Sequence, residues 1–259
     1  MIPLKDDIPS RTFPVVTVLL IVLNVVVFLA DLALGHALSD LFAMRPAYVV
    51  HDPTAIIRDT GVPIWATLFT MMFLHGGWLH VGGNMLYLWI FGNNTEDTLG
   101  HFRFLVFYFG CGLAAAGLQI VMNVNSTVPT IGASGAIAGV LGAYFFLFPG
   151  ARVTTVVFLF VFFTVVDISA RVVLGFWFLL NVYNTLLSTA ATLNHVSQQS
   201  GGVAFAAHVG GFAAGWVLIR LLVSRRPIRP RLPLPRYQRG CRICGQGRAA
   251  SGQRYCSSG

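Results

Sequence analysis

Apolar runs separated by short polar punctuation organise this chain. Six of them, about Phe13 to Leu34, Ala66 to Asn93, Phe102 to Val124, Gly132 to Pro149, Ser169 to Leu187 and Gly202 to Val223, are long enough to be read as membrane spans. The measure is a hydrocarbon layer of ~30 Å crossed at ~1.5 Å per helical residue. The second run can tilt or project beyond the bilayer. None has the strict in-out alternation of barrel strands, and every backbone amide in lipid must be bonded internally, so the pattern predicts helices. The first run is expected to remain as a span, since Asp31 and a long polar loop stand where a cleavable signal would carry small residues.

Two stretches fit this scheme less simply. Gly35 to Pro63 is a long loop with apolar patches at Leu41-Phe42-Ala43-Met44 and Ala55-Ile56-Ile57, as in a segment lying in the interface. Val153 to Val166 is rich in Val and Phe but follows Pro149-Gly150 and ends at Asp167. It is read as a short interfacial or re-entrant piece, with a seventh span as the alternative.

Composition strengthens the membrane reading: 56% of residues are hydrophobic and 10% charged, with a mean hydropathy of +0.73, which excludes an ordinary soluble domain. Charge sets the direction of threading. Lys5 and Arg11 precede the first run, Arg225, Arg226, Arg229 and Arg231 follow the last, and Arg103 and Arg152 fall in loops on the same side. Both termini are therefore expected in the cytoplasm, which six spans allow; Arg45 and Arg58 run against the trend.

Three regions follow: an N-terminal segment (1–12), a membrane domain (13–224) and a basic tail (225–259). The tail's arginines and prolines suit an extended segment held near anionic lipid, with a nucleic-acid arm as the weaker alternative. It also carries Cys241-Arg-Ile-Cys244 and Cys256, a partial zinc pattern without a fourth nearby ligand. Cys111, inside the third run, reads as a small buried apolar residue.

The candidate chemistry lies in three of the runs. The fourth opens on Gly132-Ala133-Ser134-Gly135 after the polar loop Asn123 to Thr130, and Gly135, Gly139 and Gly142 form a small-residue face. Taken alone, Ser134 is better explained by helix packing. The sixth run holds Ala207-His208-Val209-Gly210-Gly211, and an ionisable residue at membrane depth points to function. Gly211 and Gly215 let two backbones approach. If this face meets that of the fourth run, His208 can reach Ser134, the minimum for an activated nucleophile.

His80 and Asn84, four residues apart in the second run, share a helix face and could aim donors at a developing oxyanion. An interhelical hydrogen bond, or a metal site of His75, His80 and His208, are the other readings of these residues; no carboxylate or cysteine on these faces completes a metal shell. With no Asp or Glu in the central fourth or sixth run, the usual third member of a triad is missing, leaving a Ser-His dyad.

These motifs, in this order, resemble the rhomboid family of intramembrane serine proteases. The resemblance runs from about Pro14 to Trp216. It includes Phe91-Gly92-Asn93-Asn94-Thr95-Glu96 with Gly100, Arg103 and Phe104, similar to the family's inner loop, and Gly175-Phe176-Trp177-Phe178-Leu179-Leu180, similar to its fifth span. It implies an all-α polytopic fold of six transmembrane helices and a serine endopeptidase that needs no cofactor. Ser134 would be the nucleophile and His208 its base, with the Ser134 backbone N–H, His80 and Asn84 forming the oxyanion hole.

The fifth span around Trp177 would be the gate for substrate. The implied substrates are single-span membrane proteins cut at a small residue near the outer face. Membrane lipids are the other expected partners, nucleic acid is not expected, and the implied location is a prokaryotic inner membrane. Ala138 departs from the pattern, standing where some members carry a Tyr stacked on the catalytic histidine. A relative that binds clients without cutting, and a transporter, are the competing functions. The transporter would require charged residues along a pathway or an internal repeat.

Overall fold

The computed structural model describes residues 2–54, 61–159, 162–193 and 203–223. The chain enters through a strand, β1 (Ile2–Asp6), and the first long helix, α1 (Val15–Ala33). Two short helices follow, α2 (Ala37–Phe42) and α3 (Pro46–His51), and then α4 (Ile64–Thr70), which ends in a 3-10 turn over Met71–Phe73. Next come α5 (Trp78–Tyr87), continued by a π-helical turn over Leu88–Gly92, and α6 (Asn93–Leu99). The rest is α7 (His101–Met122), α8 (Ser134–Leu147), the strands β2 (Arg152–Leu159) and β3 (Phe162–Ser169), α9 (Ala170–Leu193) and α10 (Phe205–Leu222).

By length and composition α1, α7, α9 (through Ala190) and α10 can each cross a membrane; Ile64–Phe73 and Ser134–Leu147 are shorter apolar helices. Outward faces support that setting. Leu19, Phe102, Leu179 and Leu221 are more than 60% exposed, a display of apolar surface that suits lipid and would be costly in water.

Three expectations need correction. The run Ala66 to Asn93 is not one helix. It breaks after Phe73, where Leu74 is extended, and restarts at Trp78, continuing through the π turn to Leu99. The adjacent Gly76 and Gly77 explain the break, because they lack the helix propensity that their apolar neighbours supply. Val153 to Val166 is not a seventh helical span: β2 and β3 form an antiparallel hairpin, and β1 pairs with β2 to make a three-stranded sheet in the order β1-β2-β3. Its density of Val, Thr and Phe is β-branched and aromatic composition, which suits strands. The fold is therefore mostly helical and not all-α. The Cys-containing tail lies outside the described residues.

Polar clamps tie the ends of the bundle. Pro14 offers α1 no side-chain cap; Glu96 instead accepts the backbone N–H groups of Val16 (2.9 Å) and Thr17 (2.7 Å), placing a buried carboxylate where a helix has orphan donors and positive potential. Beside it, Asp97 accepts from Arg11 and Thr12. At the other end of α1, Asp31 accepts from the Ser39 hydroxyl (2.6 Å) and N–H (2.9 Å), docking α2. Asp6 at the end of β1 accepts from the Tyr144 hydroxyl and from Asn94, each at 2.6 Å, joining the sheet to the foot of α8.

The centre of the molecule is the seam between α8 and α10. A Cβ added to Gly211 would lie 2.0 Å from the Gly135 carbonyl oxygen, and one added to Gly215 would lie 1.9 Å from that of Gly139. Only glycine permits this approach. Cys111 of α7 closes on Gly139 from the other side and is fully buried, as its sequence context suggests.

Candidate active site

Ser134 is the first residue of α8. The preceding loop fixes where that helix starts: Met44 and Thr130 exchange both backbone hydrogen bonds, and the Gly132 N–H donates to the Met71 carbonyl at 2.8 Å. Gly132 has φ +124°, a conformation that disfavours side chains, and a Cβ there would sit 2.8 Å from Nε2 of His80. Ser134 is half-buried and so reachable, and its own N–H belongs to the first turn of α8, where no intrahelical acceptor exists.

The glycine seam brings His208 of α10 to Ser134, with Nε2 2.8 Å from Oγ, the distance of a good hydrogen bond. The two small-residue faces meet as their spacing suggests. His208 itself is 8% exposed.

His80 and Asn84 project from α5 one turn apart. The Gly76 N–H donates to His80 Nδ1 at 3.3 Å, so the neutral ring carries its proton on Nε2, the nitrogen that faces the Gly132–Ser134 turn. Asn84 is buried, and its Nδ2 has no partner among the described residues, a group that is costly to bury unless something accepts from it. Among the described residues neither His80 Nε2 nor Asn84 Nδ2 is hydrogen-bonded to a protein acceptor. His75 lies edge-on to His80, with ring centroids 5.0 Å apart, and is fully buried. Among the described residues no three His, Cys, Asp or Glu side chains gather as metal ligands.

One contact has no counterpart in the sequence reading. Nδ1 of His208 lies 2.7 Å from Oδ1 of Asn181 on α9, and Trp177, one turn earlier, lays its indole against the same imidazole with centroids 5.5 Å apart. Ala138 is buried on α8 and offers no ring; α9 supplies the packing instead. The available signal was the i, i+4 pair Trp177 and Asn181 on one helix face, but it carries weight only once that face is known to meet His208.

A small recess of about 10 Å³ adjoins the serine, bordered by Met71, Met72, Gly132, Ser134 and Ala207. It has room for a single water-sized group.

Comparison with known proteins follows the same lines. The family model described as Rhomboid domain matches residues 63–225. Among relatives, Rhomboid protein 1, mitochondrial, of Saccharomyces cerevisiae is 30% identical over 165 residues, which is 61% of this chain and 43% of that protein. The Putative rhomboid protease YdcA of Bacillus subtilis is 31% identical over 147 residues, 53% of this chain and 64% of its own length. Rhomboid protease GluP of the same bacterium is 40% identical over 83 residues, 32% of this chain and 16% of that protein. In each case the chain spans less than two thirds of the relative's length.

Proposed function

This chain belongs to the rhomboid family, which are intramembrane serine proteases, and from that premise we propose that it is an intramembrane serine endopeptidase using Ser134 and His208. The observation that carries the reading is the 2.8 Å contact between Ser134 Oγ and His208 Nε2, at the start of a helix whose preceding turn faces Nε2 of His80.

In the proposed reaction Ser134 Oγ attacks the peptide carbonyl while its proton passes to His208 Nε2. The oxyanion accepts hydrogen bonds from the Ser134 N–H, His80 Nε2–H and Asn84 Nδ2–H. His208 then gives its proton to the departing amine, and the C–N bond breaks to leave an acyl-enzyme. A water attacks the ester, losing its proton to His208. Collapse releases the new carboxyl terminus and returns the proton to Ser134 Oγ.

The same reading makes the molecule a six-pass membrane protein in a prokaryotic inner membrane, with both termini in the cytoplasm. Helices α1, α7, α9 and α10, together with the run Trp78–Leu99 and α8, would make the six passes. Residues 1–12, 13–224 and 225–259 would be the N-terminal segment, the membrane domain and the tail. The substrates are single-span membrane proteins, and the narrow recess beside Ser134 favours a small residue before the cut.

The test is cleavage of a single-span reporter by the purified protein in lipid vesicles, compared with Ser134→Ala and His208→Ala at equal folded amounts. Loss of cleavage in both variants supports the dyad. Cleavage that persists in both refutes it, and wild-type protein that binds but cuts none of several reporters is instead a client-binding relative.

A further inference from the structure

We propose that Asn181 is a positioning residue that fixes the tautomer of His208, so that the working unit is Ser134–His208–Asn181 with its third member on α9. The proposal rests on the reading of Ser134 and His208 as nucleophile and base.

A carboxamide can present either its oxygen or its nitrogen to the imidazole, and the surrounding hydrogen bonds decide which. Here Nδ2 of Asn181 donates to the Trp177 carbonyl oxygen at 2.8 Å, and a carbonyl can only accept. The amide nitrogen is therefore committed to the helix behind it, and Oδ1 is the atom 2.7 Å from His208 Nδ1. That oxygen cannot donate, so the imidazole proton must sit on Nδ1. Nε2 is left with its lone pair directed at Ser134 Oγ, 2.8 Å away.

This is the tautomer the chemistry requires. With the proton on Nε2, the ring would point an N–H at the serine and could not accept its proton. The acceptor keeps its value after proton transfer, because both ring nitrogens are then donors and Nδ1–H still needs a partner in a buried site. Asn181 is itself held in place, being 6% exposed, with its backbone carbonyl accepting from the Thr185 hydroxyl at 2.7 Å. Trp177 restrains the ring plane, so α9 sets both the orientation and the protonation of the base.

The neighbouring Asn184 is an internal control. Its Nδ2 donates to the Leu180 carbonyl at 2.8 Å in the same way, but the residue is only half-buried and makes no hydrogen bond to His208.

The experiment uses full-length protein in lipid vesicles at pH 8 and compares wild type with Asn181→Leu, Asn181→Asp and Asn184→Leu. Leucine keeps the size of Asn181 but removes the acceptor, whereas aspartate keeps an acceptor. Two readouts are taken: kcat and KM on a single-span reporter, and the imidazole ¹⁵N signals of His208, identified by their loss in His208→Asn. The expected result for Asn181→Leu is a kcat lower by roughly 10- to 100-fold at unchanged KM, with proton density moving from Nδ1 toward Nε2. Asn181→Asp restores the Nδ1–H signal and most of the rate, and Asn184→Leu matches wild type in both readouts.

An Asn181→Leu variant that keeps the wild-type ¹⁵N pattern overturns the proposal, as does one whose rate falls while the pattern holds and aspartate fails to rescue. If wild-type protein cuts no reporter, the protease reading fails, and the nitrogen signals still decide whether Asn181 sets the tautomer.

Discussion

Replacing Gly211 with alanine tests whether the α8–α10 seam sets the geometry of the pair. The added Cβ would stand 2.0 Å from the Gly135 carbonyl oxygen and 3.0 Å from its carbon. These are backbone atoms that cannot rotate away. An ordinary carbon–oxygen contact is about 3.3 Å, so the helices must separate locally by about 1.3 Å. Gly135 directly follows Ser134 and Gly211 lies three residues after His208, so most of that opening reaches the pair. The 2.8 Å contact would lengthen to about 4 Å, beyond hydrogen-bonding range. A misplacement of this size costs on the order of 100-fold in rate, and forcing extra volume into a packed core costs about 1–3 kcal/mol of stability. The assay is kcat/KM on a single-span reporter in vesicles, with thermal unfolding followed by tryptophan fluorescence. Gly117→Ala is the control, since nothing lies within 4 Å of its added Cβ; in a helix interior it should be neutral or stabilising by up to about 1 kcal/mol. A Gly211→Ala protein with wild-type kcat/KM and an unchanged midpoint would refute the reasoning.

Other predictions concern the oxyanion donors and the polar clamps. Asn84→Ala should lower kcat by roughly 100- to 1,000-fold with little change in KM, because its amide is needed mainly when the oxyanion forms; an equal rise in KM at constant kcat would contradict that role. Glu96→Gln keeps the shape of the α1 cap but removes its charge, and should lower stability by about 1–2 kcal/mol with kcat unchanged in the protein that remains folded; an unchanged unfolding midpoint would argue against the cap. Burial pushes the Asp6 carboxyl up to about 6 from its ordinary 3.8, outweighing the hydrogen bonds from Tyr144 and Asn94 that pull it down. The folded chain thus keeps a proton that the unfolded chain releases, so the contribution of Asp6 to stability falls as pH rises from about 4 through 6. Unfolding midpoints at pH 5 and pH 7 should differ less in Asp6→Asn than in wild type, and an identical difference in both would place the dependence elsewhere.

What the sequence conveyed about the fold depended on how far hydrophobic periodicity distinguishes one element from another. Helices α1, α7 and α10 lie within one to three residues of their apolar runs, because uninterrupted apolar sequence leaves few alternatives in lipid. Val153 to Val166 misled because a short apolar stretch is equally compatible with a buried helix segment and with strands. What decides between them is β1, more than 140 residues earlier in the chain, which supplies the partner for β2. The break after Phe73 was missed for a related reason: Leu74 is apolar enough to continue the run, and only the two glycines that follow signal a stop.

The site divides along the same line between what is rare and what is common in its setting. Ser134 beside glycines, His208 in an apolar run and the His80–Asn84 pair all stand out as unusual at membrane depth, and the glycine spacing on two helices told which faces could meet. Asn181 does not stand out. Helix α9 carries Asn181, Asn184, Thr185, Ser188 and Thr189, and all five side chains donate to carbonyls three or four residues back, an arrangement that explains polar residues in a helix without assigning them any other role. Asn181 and Asn184 make the same local bond, and nothing in sequence separates them. The difference is that the carbonyl oxygen of Asn181 is aimed at His208, and the local bond from its amide nitrogen is what leaves that oxygen free to accept. The interaction that disguises the residue in sequence is therefore also the one that orients it, and substitutions at Asn181 should change the His208 tautomer while the same substitutions at Asn184 do not.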